Sequence, residues 1–303
     1  MQSPLPDLRP LGVGEMVDGA IRLYRTHFLT LIKISAAVLG PIGLLELIAV
    51  VAVGPVDFAS MLVVDPEATP VEVFEPLIPI YLVLGLTGVL SFLGSVLVQG
   101  ASITALAQSY QGQEPVWTSS LRNGARRFLP LVVATFLLSV SSGIGLIFCL
   151  IPGIFLFTMW TVTPAALVTE RLGPLAALRR SWQLVRGRFW PVLGAVVLAY
   201  LLYIVVSQII GTVTGAVTIF GAMNGDQFSF LPSVLGSALV SIVSAPFLAA
   251  MVTIIYFDLR VRKEGYDLEL MARDLEALEG EAAAPPPPGP GQDPFGLGSP
   301  GDE

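Results

Sequence analysis

The stretch Phe128-Leu-Pro-Leu-Val-Val-Ala-Thr-Phe-Leu-Leu-Ser-Val-Ser-Ser-Gly-Ile-Gly-Leu-Ile-Phe-Cys-Leu-Ile-Pro-Gly-Ile-Phe-Leu-Phe-Thr-Met-Trp-Thr-Val-Thr-Pro-Ala-Ala-Leu-Val-Thr169 contains no charged residue. As one helix rising ~1.5 Å per residue it would be about 63 Å long, roughly twice the hydrocarbon thickness of a bilayer. It must therefore hold two membrane helices, and the expected break is Ile151-Pro152-Gly153, where proline and glycine interrupt the apolar run. Three more uncharged runs, Pro76 to Gln113, Phe189 to Gly225 and Gln227 to Phe257, are each long enough to cross. Phe28 to Val53 is interrupted only by Lys33 and Glu46, and its charged, lengthy lead-in is unlike a cleaved signal peptide.

The expected fold is all-α: a polytopic bundle of six transmembrane helices with basic amphipathic interfacial helices. The spans are about 28–53, 79–107, 129–150, 154–169, 190–218 and 231–257. They form a domain of residues 28–258 between an amphipathic N-terminal segment, 1–27, and a C-terminal amphipathic helix, 259–280. A Pro/Gly-rich tail, 281–303, has too few apolar residues to offset the entropy of ordering, and its four-proline run is a passive tail or a docking peptide. The composition agrees: 54% of the 303 residues are hydrophobic and 13% charged, with a mean hydropathy of +0.77, against about 25% charged in soluble domains.

The 16 Lys and Arg set the orientation. All but Lys33 lie before the first span, between spans two and three, between four and five, or after six. The opposite loops carry Asp57, Asp65, Glu67, Glu72, Glu75 and Asp226 and no basic residue. That bias places both termini in the cytoplasm, as expected for a multi-pass protein of a bacterial cytoplasmic membrane. Lys33 can snorkel back along its aliphatic stem.

Three segments align without gaps on the phenylalanines that open the odd-numbered spans: Arg22-Leu-Tyr-Arg-Thr-His-Phe28, Arg122-Asn-Gly-Ala-Arg-Arg-Phe128 and Gln183-Leu-Val-Arg-Gly-Arg-Phe189. Three units of interfacial helix plus hairpin follow. In the third, Leu175, Leu178, Trp182 and Val185 recur at helical spacing with Arg179, Arg180, Arg186 and Arg188 mainly between them. These arginines, with Arg126 and Arg127, are candidate contacts for anionic lipids, or they only anchor topology. Partners expected from the pattern are the bilayer, anionic lipids and a protein at the cytoplasmic face, with no nucleic acid.

Chemistry is sparse. His27 is the one histidine and Cys149 the one cysteine. Cys149, inside an apolar run, reads as a small buried hydrophobe, and no disulfide framework or metal cluster can be built from one such residue. No nucleotide-binding or metalloprotease motif is present. The acidic outer loop reads as solvated, and no catalytic residue, cofactor or metal is expected. Glu46 stands out, about 10 Å inside the outer end of its span. A carboxylate there is costly and defaults to a functional hypothesis, a proton relay or substrate contact. The structural alternative is that it pairs with Gln99, Gln208 or a serine of a neighbouring helix. Gly211-Thr-Val-Thr-Gly215 is a small-xxx-small face that would pack helices within the chain.

Arg9 to Arg25, Ile151-Pro-Gly-Ile together with Glu170-Arg-Leu-Gly-Pro-Leu-Ala-Ala-Leu-Arg-Arg-Ser-Trp-Gln-Leu-Val-Arg-Gly187, and Tyr256-Phe-Asp-Leu-Arg-Val-Arg-Lys-Glu-Gly-Tyr-Asp-Leu-Glu-Leu270 resemble the bacterial glycerophosphoryl diester phosphodiesterase membrane domain family across residues 9 to 275. The resemblance implies a membrane architecture. It does not carry over phosphodiesterase activity, because the residues after Arg273 are too few for a catalytic barrel and the expected paired histidines are missing. The sequence therefore points to a non-enzymatic membrane platform for protein or lipid partners, with a small transporter or lipid-handling permease using Glu46 as the alternative.

Overall fold

A computed structural model describes residues 11–53, 78–110, 112–226 and 228–265. They form helices and connecting turns with no strand among them, and six of the helical stretches are long and apolar enough to span a membrane. In chain order the helices are α1 (Val13–Thr26), α2 (Phe28–Val53), α3 (Ile78–Tyr110), α4 (Trp117–Arg126), α5 (Phe128–Phe148), α6 (Leu150–Met159), α7 (Thr163–Thr169), α8 (Pro174–Val185), α9 (Phe189–Met223) and α10 (Leu231–Glu264). The chain is a multi-pass membrane protein by this composition. The acidic outer loop, the amphipathic segment after position 265 and the proline-rich tail lie outside the described residues.

The internal match on the phenylalanines has a structural counterpart. An amphipathic helix, α1, α4 or α8, leads into each odd-numbered span, and each starts after a residue in extended conformation: Gly12, Val116 or Gly173. The residue just before each phenylalanine adopts nearly one backbone geometry: φ −108°, ψ 21° at His27, φ −106°, ψ 11° at Arg127 and φ −128°, ψ 23° at Arg188. This bridge conformation breaks the helix without ending the chain's advance, so each interfacial helix turns into a span across a single such residue. In the third unit the turn also needs Gly187 at φ 88°, a left-handed value that glycine adopts without steric cost.

Several boundaries move from the sequence expectation. The chain reverses at Cys149, two residues before Ile151, and α6 begins at Leu150 with Pro152 inside its first turn. Proline is tolerated there because early helical N–H groups have no partner within the helix. Gly153 instead makes the hairpin tight, since a Cβ on Gly145 would lie 2.9 Å from the Gly153 Cα. The fourth span is interrupted again at Trp160–Val162, between α6 and α7. Cys149 is exposed at the turn, not buried: an apolar neighbourhood in sequence does not imply a protein neighbourhood at the tip of a hairpin. Gly211 and Gly215 meet nothing where a Cβ would stand, so they do not pack helices within the described chain. Within the same stretch it is Thr214 that meets α10, where a Cβ on Gly236 would sit 2.7 Å from its Cγ2.

The buried core is concentrated toward the end of the bundle that carries the arginines. In α2 it comprises Leu31, Ile34, Ser35 and Leu39, in α3 it runs from Gly94 to Tyr110, and in α9 it is confined to Val192–Ala199. The last third of α10, Ala249 to Leu259, is almost wholly buried, and this helix is the post around which that end is built. Small residues set the separations: a Cβ on Gly124 of α4 would lie 2.7 Å from the backbone nitrogen of Ala101 of α3. Side chains packed that closely lose stability with one added methyl group.

Candidate functional site

Two polar clamps hold the basic end together, and both are centred on the last turns of α10. In the first, Asp258, whose side chain is 1% exposed, accepts from Arg262 Nε at 2.9 Å and from the Leu11 backbone N–H at 2.8 Å, while Arg262 Nη2 donates to the Leu11 carbonyl at 2.7 Å. A buried carboxylate is tolerable because its charge is met by a guanidinium and a backbone N–H. In the second, Arg180 Nε of α8 lies 2.8 and 2.9 Å from the two carboxylate oxygens of Glu170, and the Tyr256 hydroxyl donates to the same carboxylate at 2.7 Å. Arg260 stands 5.9 Å from the centre of the Tyr256 ring. Lys263 donates to the carbonyls of Gln183 and Arg186, capping the C-terminus of α8, where carbonyls lack partners and a cation complements the helix dipole. The face of α8 that packs inward comprises Ala177, Leu178, Ser181, Leu184 and Val185. The expected stripe is partly realised: Leu178 and Val185 are buried and Trp182 half-buried, but Leu175 is 73% exposed.

These contacts sort the predicted lipid-binding arginines. Arg180 is committed to Glu170, and Arg127 Nη1 reaches the Arg171 carbonyl at 3.4 Å. Arg126, Arg179, Arg186 and Arg188 have no ion pair or side-chain hydrogen bond among the described residues. Arg179 also borders an apolar cleft of about 410 Å³ lined by Leu137, Trp160, Leu178 and Trp182. At the same end His27 shares a 2.6 Å hydrogen bond with Ser109. Burial lowers its pKa, partly opposed by the charge of Glu114. The Tyr24 hydroxyl donates to the Val243 carbonyl at 2.9 Å, and burial pushes its pKa up to about 12, so it remains a donor at neutral pH.

The second candidate site lies deeper in the spans. Glu46 of α2 is half-buried and accepts a hydrogen bond from Ser91 of α3. It lines a groove of about 340 Å³ between α2, α3, α9 and α10, together with Ser95, Tyr200, Tyr203, Ser237, Ser241 and Ser244. The close approach of Gly43 to Ala238, whose Cβ would lie 3.2 Å from a Cβ on that glycine, brings α2 against α10 there. Of the polar partners weighed from sequence, a serine is the one that meets Glu46. Gln99 and Gln208 are not among the groove's lining residues; Gln99 is two turns along α3 from Ser91, and Gln208 is exposed on α9.

The sequence reading missed Ser91, the two tyrosines and both clamps. Tyr256, Asp258 and Glu170 each lie in a segment on which the sequence reading based its resemblance, but no role was given to them there. Among the described residues no group of three or more His, Cys, Asp or Glu side chains could hold a metal ion. No family model, curated protein or solved structure matches the chain.

Proposed function

We propose that this six-span protein is a non-enzymatic platform of the bacterial cytoplasmic membrane. In this reading both termini are cytoplasmic, and the basic face holds anionic lipids and is offered to protein partners. The observation that carries it is the division of cations at the basic end. Arg180, Arg262 and Lys263 are used up inside the protein, whereas Arg126, Arg179, Arg186 and Arg188 make no such contacts among the described residues. Cations spared by the fold, on amphipathic helices at the headgroup level, suit phosphate groups of the inner leaflet. The cleft beside Arg179, with tryptophans on its wall, gives an acyl chain a place beneath such a headgroup.

The test is native mass spectrometry of protein reconstituted with phosphatidylglycerol and phosphatidylcholine. Each surface cation contributes about 1 kcal/mol to anionic-lipid attraction, so the double variant Arg179→Gln/Arg186→Gln is expected to lose roughly tenfold or more in phosphatidylglycerol retention. Equal retention by variant and wild type would end this reading.

Kinship with the glycerophosphoryl diester phosphodiesterase membrane domain belongs to the same proposal. Its support is that segments distant in sequence, around Leu11, Glu170–Arg180 and Tyr256–Lys263, contact one another through the clamps. A second reading, a small transporter or lipid-handling permease, is favoured by the groove around Glu46. It expects Glu46→Gln to abolish the cellular phenotype with the melting temperature unchanged, whereas the platform reading expects that phenotype to persist.

A further inference from the structure

We infer that the groove around Glu46 binds an ammonium group, either the headgroup amine of an aminophospholipid or a free alkylamine. The inference gives the groove of the second reading a ligand class, and it requires binding only, not transport. Four observations converge on it. Among the described residues Glu46 is the only acidic one lining the groove, and no lysine, arginine or histidine lines it. An anionic ligand would therefore face an uncompensated carboxylate in a medium that screens charge poorly.

Four of the groove's hydroxyls are already oriented as acceptors. Ser95, Ser237 and Ser241 each donate to a carbonyl of their own helix, at 2.8, 2.8 and 2.9 Å, and Ser91 donates to Glu46. What these four offer a ligand is oxygen lone pairs, which match the three N–H donors of an ammonium. Tyr200 and Tyr203, packed edge to face with centroids 6.4 Å apart, also line the groove, and aromatic rings attract cations. The volume, about 340 Å³, is at the small end of ligand sites and accommodates an aminoalkyl group rather than a whole lipid. Ser95, Ser237 and Ser241 are exposed on the spans, so the groove can be entered sideways from the bilayer.

The full-length protein is reconstituted in nanodiscs containing phosphatidylethanolamine, phosphatidylcholine and phosphatidylglycerol, and retained lipids are read by native mass spectrometry. A parallel arm titrates ethanolamine into phosphatidylcholine nanodiscs and follows the melting temperature. A lipid source predicts that wild type retains a phosphatidylethanolamine that Glu46→Gln loses at least tenfold and Glu46→Asp keeps in part, with phosphatidylglycerol retention the same in all three. A water-borne source predicts instead an ethanolamine-dependent rise in melting temperature, absent in Glu46→Gln, without lipid preference. Tyr200→Leu weakens whichever signal is present and serves as the second variant should Glu46→Gln fold poorly. Identical lipid retention and flat melting curves in wild type and Glu46→Gln would overturn the inference, as would preferential capture of phosphatidylglycerol at the groove. Failure here leaves the arginine-dependent retention of phosphatidylglycerol untouched, so the two proposals fall separately.

Discussion

The two ends of the bundle are built on different physics. At the basic end the spans converge on the last turns of α10, side chains interdigitate to full burial, and hydrogen bonds tie together residues as far apart in sequence as Leu11 and Asp258. Away from it the same helices part. The apolar windows of α2 and α9 are only 17% buried, against 50% for α10, and the groove holding Glu46 opens between them. A membrane explains why this is allowed: lipid tails satisfy apolar side chains as well as another helix does, so nothing forces the spans together where small residues and polar bonds do not. The lesson is that rigidity is local, placed where the interfacial helices dock, and the separated spans leave room for a ligand.

This contrast can be broken in several ways. The largest effect is all-or-none. Cys149 is exposed at the turn opposite the basic end, so an impermeant maleimide should label it in intact cells, whereas Arg126→Cys in a Cys149→Ser background should react only after permeabilisation. The reverse pattern would overturn the proposed orientation. Next, Asp258→Ala leaves Arg262 and the Leu11 N–H without their buried partner and should cost about 3 kcal/mol, measured as reduced resistance to denaturant in detergent. A Glu46→Ala change in the looser half should cost much less.

The glycines offer a matched pair. Gly124→Ala forces a Cβ to within 2.7 Å of the Ala101 backbone and should destabilise by roughly 1–3 kcal/mol. Gly211→Ala, with open space around it, should stay within about 0.5 kcal/mol of wild type. Equal costs would mean that both regions are packed alike. The smallest effect is on pH. His27 has a lowered pKa in the folded protein because of burial, so the unfolded chain takes up the proton first. Its contribution is fully present above about pH 6.5 and is lost as pH falls through the depressed folded value. A His27→Gln variant should show a shallower loss of thermal stability on acidification than wild type. An unchanged slope would detach the His27–Ser109 contact from the stability of the basic end.

Much of the architecture was legible because it depends on one-dimensional properties. Uncharged length determines how many spans exist, and the position of arginines determines which end they share. The recurring phenylalanines marked the three junctions that adopt the bridge conformation at His27, Arg127 and Arg188. The break at Cys149 was displaced because a proline seen in sequence reads as a stop, while in space it sits comfortably inside a first turn. The small-residue stretch at Gly211 does meet α10, but through Thr214 against Gly236 and not through its glycines: spacing shows that an approach is possible, not which residue makes it.

What the sequence determined by itself was an all-helical, multi-pass protein with three amphipathic helices gathered at its basic end. Only the tertiary structure decided which arginines are spent on Glu170 and Asp258 and which have no such partner among the described residues, and that Glu46 meets Ser91 beside two tyrosines and not Gln99 or Gln208. The physical reason is that span number and sidedness follow from transfer into the bilayer, a property of each segment alone. Pairing follows from the rotation and separation of helices remote in the chain, set by contacts such as Gly124 on Ala101 and Gly43 on Ala238 that no local pattern reveals.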